Sequence, residues 1–211
     1  MSPPSSVRNP LAEARRFGVK FFAAQAFEPG PRAVVPIFHQ WIQQHRLEDE
    51  LLIDVADYSH VFHGPGVLLI SHGAQYSLDQ ADGKLGLLYS RRRKGDGDVP
   101  ARLRAAFRAA LRACHLLQDE PALAGKLRFR FDGAEFHIHD RLAAPRTPEV
   151  LDAVKSDLGR FLTDLYEGAG GIDIQPSGGS KDPFSLRIEV APASAVPPVD
   201  VLLSRIEALV A

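Results

Sequence analysis

The segment DVADYSHVFHGPG at 54–66 concentrates the side chains of this sequence best suited to chemistry. His60 and His63 stand three apart behind Asp57 and Tyr58, and His72 follows after one short apolar run. Zinc, iron and copper accept imidazole and carboxylate ligands, and imidazole changes charge near neutrality. Asp57, Tyr58, His60, His63 and His72 are therefore the candidate ligand-binding residues. Asp57, His60, His63 and His72 are the candidates for a divalent metal, the one cofactor the sequence suggests. The spacing matches no specific metal motif, because His-x-x-His on a loop is not His-Glu-x-x-His on a helix. A plain turn uses the same residues, with Asp57, Tyr58 and Ser59 bonding the backbone and Gly64-Pro65-Gly66 redirecting the chain. A site forms only if the loop folds over the sheet face that carries His72.

Other clusters carry less. His137 and His139 share one face of an expected strand, but the expected cross-strand partners Arg128 and Lys126 oppose a cation there and suit an anion or solvent. Arg91, Arg92, Arg93 and Lys94 lead into Arg104, Arg108 and Arg112, which recur on one helix face and offer a polyanion surface. Asp96 and Asp98 interrupt that surface and no exposed aromatic residue accompanies it, so nucleic acid is not the favoured partner. Cys114 and His115 are helix neighbours whose side chains diverge by about 100°. Neither Ser59-His60 nor Ser71-His72 lies in a G-x-S-x-G elbow. SGGSK at 177–181 lacks phosphate-loop spacing, and no G-x-G-x-x-G follows a strand. No catalytic residue is assigned.

Composition sets the frame around these residues. The 211-residue chain is 45% hydrophobic and 24% charged with a formal net charge of −1, a globular balance that needs no disulfide or metal to fold. Its single cysteine leaves no intrachain disulfide and no cysteine-based zinc cluster. With no signal-like or membrane-spanning run, the expected location is cytoplasmic, away from membranes. A homodimer is compatible with this size.

The elements follow from periodicity and punctuation. Residues 1–17 read as a disordered tail and a short helix capped by Asn9, and 18–211 as one α+β domain with pseudo-halves at 18–120 and 125–211. Strands are expected at 19–24 and 51–56, with a helix over 33–46 between them. A meander follows, turning at Gly73-Ala74 and Asp82-Gly83. It places Val67, Leu69, Tyr76, Leu78, Leu85, Leu87 and Tyr89 on one apolar face, while His72, Gln75, Ser77 and Asp79 lie on a mixed face. Helices are expected at 100–118, from 148 to Gly168, and at 198–210. Asp132-Gly133 reads as the turn of a second hairpin pairing Phe129 with Phe136 and Leu127 with Ile138. A last strand pair spans 172–175 and 184–190.

The fold class is thus α+β with a mainly antiparallel sheet, β-α-β4-α followed by ββ-α-ββ-α, and helices on one face. The leading functional expectation is a non-catalytic module binding a small ligand or a protein partner. The alternatives are a metal-dependent hydrolase using the 57–72 His/Asp cluster, and polyanion binding through Arg91–Arg112.

Overall fold

The computed structural model describes residues 9–80, 83–179, 182–191 and 195–209. The tail expected at 1–8 and Asp82 of the expected second turn lie outside these residues. In chain order the elements are α1 (Pro10–Glu13), β1 (Phe17–Ala23), α2 (Val35–Gln44), β2 (Leu52–Tyr58), β3 (Gly66–Ser71), β4 (Ala74–Asp79) and β5 (Gly86–Arg91). They continue with α3 (Val99–Gln118), β6 (Phe129–Ile138), α4 (Pro148–Leu165), β7 (Gly171–Ser177), β8 (Phe184–Ala191) and α5 (Val199–Ala208). Short side chains set the helix starts. Asn9 accepts from the Leu11 and Ala12 amides, Asp98 from Ala101, and Thr147 from Val150, each with a proline in the first turn.

All eight strands form one antiparallel sheet in the order β2-β3-β4-β5-β1-β6-β8-β7. The α+β class with a mainly antiparallel sheet is therefore correct. Alternation along the strands sends Val19, Phe21, Val67, Leu69, Tyr76, Leu78, Leu87, Tyr89, Phe136, Ile138, Leu186 and Ile188 to the buried side. The buried stripes of α3 and α4 cover that side, and Phe107 of α3 meets Phe21 of β1 edge-on and Phe161 of α4. The apolar face expected for the meander is all core except Leu85, which is partly buried.

Two registers differ from expectation. The β3–β4 turn is His72-Gly73, one residue earlier than Gly73-Ala74, with Leu69 opposite Tyr76. Ser71 fixes it, since its hydroxyl accepts from the Ala74 amide and lies 2.7 Å from the Glu50 carboxylate. The resulting offset of two residues leaves every side chain on its expected face. The hairpin expected at Asp132-Gly133 does not form, because Phe129–Ile138 is one continuous strand between β1 and β8. The second half is therefore β-α-ββ-α. Its physical cause is a bulge: Phe21 pairs with Ala134, but Ala23 pairs with Phe129. A bulge switches the inward-facing residues from odd to even numbers, as a hairpin turn would.

Gly86 shows how tightly the centre is built. A Cβ there would stand 2.6 Å from the Phe21 carbonyl oxygen and 2.6 Å from Lys20 Cε. Gly86→Ala is expected to destabilise the protein by about 1–3 kcal/mol, read as a lower urea midpoint with an unchanged slope.

Candidate functional site

The 57–63 loop is held mostly by its own residues. Asp57, at the end of β2, accepts from the Ser59 amide at 2.9 Å and the Ser59 hydroxyl at 2.5 Å. These bonds, followed by Arg32 at 3.3 Å and then His60, hold its carboxyl below the usual range. His63 adopts a left-handed φ of 57°, with its ring 4.1 Å from that of Phe62. Tyr58, His60, Phe62 and His63 border a shallow depression of about 340 Å³ beside Pro31 and Gln80.

His72 is not part of this depression. Loop 59–65 precedes β3, whereas His72 follows it, and six extended residues separate the two by roughly 20 Å. The Arg93 guanidinium donates to His72 Nε2 at 2.7 Å; since guanidinium has only donors, that nitrogen carries the lone pair. The condition set by the sequence, a loop folded over His72, is not met. Among the described residues no group of three or more His, Cys, Asp or Glu side chains is placed to hold a metal ion. On the basic helix face Arg108 is paired to Asp49 at 2.9 Å.

A different surface gathers the polar groups. The helices leave one sheet face open, and two adjacent rows run across it. One row is Ala56, Leu68, Ser77, Leu88, Lys20, Glu135, Arg187 and Gln175. The other is Asp54, Ile70, Gln75, Ser90, Gly18, His137, Ser185 and Ser177. Lys20 crosses Gly86 to bond Asp79, and both side chains are only 4% exposed. A charge this deep is tolerable only when paired.

The bulge shapes the rest. Beside it β1 and β6 diverge, and a groove of about 800 Å³ opens over Phe22, Lys84, Arg130, Gly133, Arg187 and Glu189. An adjoining hollow of about 650 Å³ shares Phe22, Lys84, Arg187 and Glu189 and extends over Asp173 and Gln175. Phe22 forms an apolar wall, with the ammonium groups of Lys20 and Lys84 at 5.6 and 5.9 Å from its ring centre. Arg130 is held by Asp132 through bonds of 2.7 and 3.0 Å. Arg187 differs. It stands opposite Glu135 in the ladder, yet its guanidinium has no ion pair or hydrogen bond to any described residue. Glu135 instead accepts from the Ser177 hydroxyl at 2.7 Å and lies 3.8 Å from His137 Nε2. Asp173 and Glu189, two acids, face each other across β7 and β8, an unfavourable pair in an isolated sheet.

The environment expected for His137 and His139 changes with the lost hairpin. Their neighbours are not Arg128 and Lys126. His137 Nδ1 lies 3.0 Å from Ser185 Oγ, and His139 Nε2 lies 3.5 Å from Ser90 Oγ. The two rings stack with centres 6.1 Å apart. Burial, followed by Arg16, lowers the His139 imidazole from its ordinary 6.5.

Sequence reasoning singled out neither the groove residues Lys84 and Arg187 nor Lys20 beside them. The available signal was Lys20 itself, a charge inside the apolar run VKFFAA, which requires a buried partner. No family model matches this chain, and no curated protein matches it.

Asp79→Ala strands the Lys20 ammonium and is expected to cost about 3–5 kcal/mol in a urea titration. Replacing both residues with apolar ones of similar size is expected to cost less than the single change. His139 binds a proton less readily folded than unfolded, so its contribution is complete above 6.5 and is lost as pH falls below that value toward its lowered folded pKa. His139→Gln is expected to flatten the stability profile over that window, measured by chemical denaturation at a series of pH values.

Proposed function

We propose that the protein is a binding module that holds a small ligand with one anionic group in the open-face groove. The Arg187 guanidinium, half-buried and facing the groove with no partner among the described residues, supports this reading. Such a group offers a fork of donors that matches a carboxylate or phosphate. A groove of about 800 Å³ suits a metabolite-sized molecule. Phe22 supplies a flat apolar surface for the rest of the ligand, and Lys84 adds a second cation at the mouth. Asp173 and Glu189 disfavour a polyanion and suit an amine on the same ligand, so amino acids and their derivatives lead the candidate classes.

The test is calorimetric titration and thermal shift against a panel of amino acids, small carboxylates and phosphate monoesters. At least one member is expected to bind and raise the melting temperature. Arg187→Ala is expected to weaken that binding by about 1.5–3 kcal/mol, or roughly tenfold to a hundredfold, while leaving the fold intact by circular dichroism. A panel without a binder, or one that Arg187→Ala binds equally well, would falsify the proposal.

A further inference from the structure

The two edges of the sheet are built differently. β7 carries Pro176, which has no amide hydrogen to offer a further strand. β2 has no proline and no lysine, and it is the more apolar edge. Of the seven large apolar side chains exposed among the described residues, five belong to this strand and its flanks: Leu51, Ile53, Tyr58, Val61 and Phe62, the last 89% exposed. Scattered apolar residues need no explanation, but five gathered at the two ends of one open edge strand suit a contact surface.

We propose that β2 pairs antiparallel with β2 of a second copy of this chain, continuing the sheet across a two-fold axis at Ala56. The register follows from the backbone. The Val55 amide donates to its neighbour's side chain, Asp54 Oδ1, at 2.8 Å, so it points away from β3. Val55 and Asp57 therefore present the outward backbone groups. The strand is irregular only between Leu52 and Asp54, which leaves Asp54–Tyr58 regular; pairing exchanges the Val55 amide's bond to Asp54 Oδ1 for one to the partner copy.

Self-pairing of this stretch about Ala56 sets Val55 opposite Asp57 of the partner copy and Ala56 opposite its own copy. Asp54 comes opposite Tyr58, twice, and both side chains lie on the open face, where the carboxylate accepts from the phenol hydroxyl. Leu51 and Ile53 at one end of the strand then meet the Ser59–Phe62 loop of the other copy, so each apolar end covers the other. Arg32 already neutralises Asp57 within each chain. A small side chain at the axis and complementary ends are what an isologous interface requires.

Sedimentation velocity over a micromolar-to-millimolar series tests this with the whole chain. A concentration-dependent dimer of twice 23.1 kDa is expected. Ala56→Lys, which puts two ammonium groups at the axis, is expected to weaken it by about tenfold or more, and Tyr58→Phe to weaken it severalfold. Exchange of the Asp57 amide is expected to slow as concentration rises, a readout that stands even if a variant folds poorly. A chain that stays monomeric throughout overturns the proposal. So does a dimer that neither Ala56→Lys nor the Asp57 amide registers.

Discussion

The structure depends on β1 being paired on both sides. This strand near the start of the chain lies between β5, the last strand of the meander, and β6, which follows only after α3. Without it the sheet would fall into a four-strand piece and a three-strand piece joined by no ladder. Its inner residues Phe17, Val19 and Phe21 are almost wholly buried and carry the aromatic contacts to Phe136, Phe107 and Phe131. Its outer residues are Gly18, Lys20 and Phe22, so the same strand supplies the centre of the core and the floor of the groove. The closeness of its neighbours explains Gly18 within it and Gly86 opposite. A Cβ at Gly18 would stand 2.5 Å from the Tyr89 carbonyl oxygen.

From that strand the polar face follows. A central charge such as Lys20 cannot reach bulk water, so Asp79 two strands away must lie within its span, and Gly86 must leave the path open. Buried serines on the same face use their hydroxyls in place of apolar packing. Ser77 bonds the Pro65 carbonyl, and Ser185 bonds that of Pro183. The open face is thus ordered by hydrogen bonds where the other face is ordered by helices. A surface ordered without being covered is well suited to hold a ligand, because its donors are fixed before the ligand arrives.

Much of this fold was legible. The stripes of α3 and α4 were read correctly because eighteen or more residues of helical period leave little ambiguity. The meander faces were also right, and the misplaced β3–β4 turn did no harm because side chains alternate with a period of two. The hairpin at Asp132-Gly133 failed for a definite reason. Phe129 and Phe131 face inward before it and Ala134, Phe136 and Ile138 after it, and either a turn or a bulge changes parity in that way. Only the tertiary partners of the segment, β1 and β8, decide between them. The candidate site was less legible still. Asp57, Tyr58, His60 and His63 do lie together at the end of β2 and in the loop after it, but His72 could join them only if that loop folded over its face, and the length of β3 carries His72 to the other end. The groove draws on β1 and the segment after it, β6, β8 and the β4–β5 connection, a set that sequence order scatters and strand order unites.

The missed bulge and the groove are one feature. An extra stretch in β6 opposite Phe22 bends that strand away from β1, and the gap it leaves is where Gly133, Arg130 and Arg187 border the groove. Gly133 suits the position because the Ile188 carbonyl oxygen would lie 3.0 Å from any Cβ there. A regular hairpin would have aligned Arg130 with Glu135 and closed the surface with a cross-strand ion pair. The bulge instead sets Glu135 opposite Arg187 and leads Arg130 to Asp132, while Glu135 is occupied by Ser177. Arg187 is left as a cation of this surface whose counter-charge none of the described residues supplies. Bulges often lie beside binding sites because they turn a side chain that regular pairing would satisfy toward the solvent. The turn-like dipeptide Asp132-Gly133 is thus the sequence feature nearest to the groove.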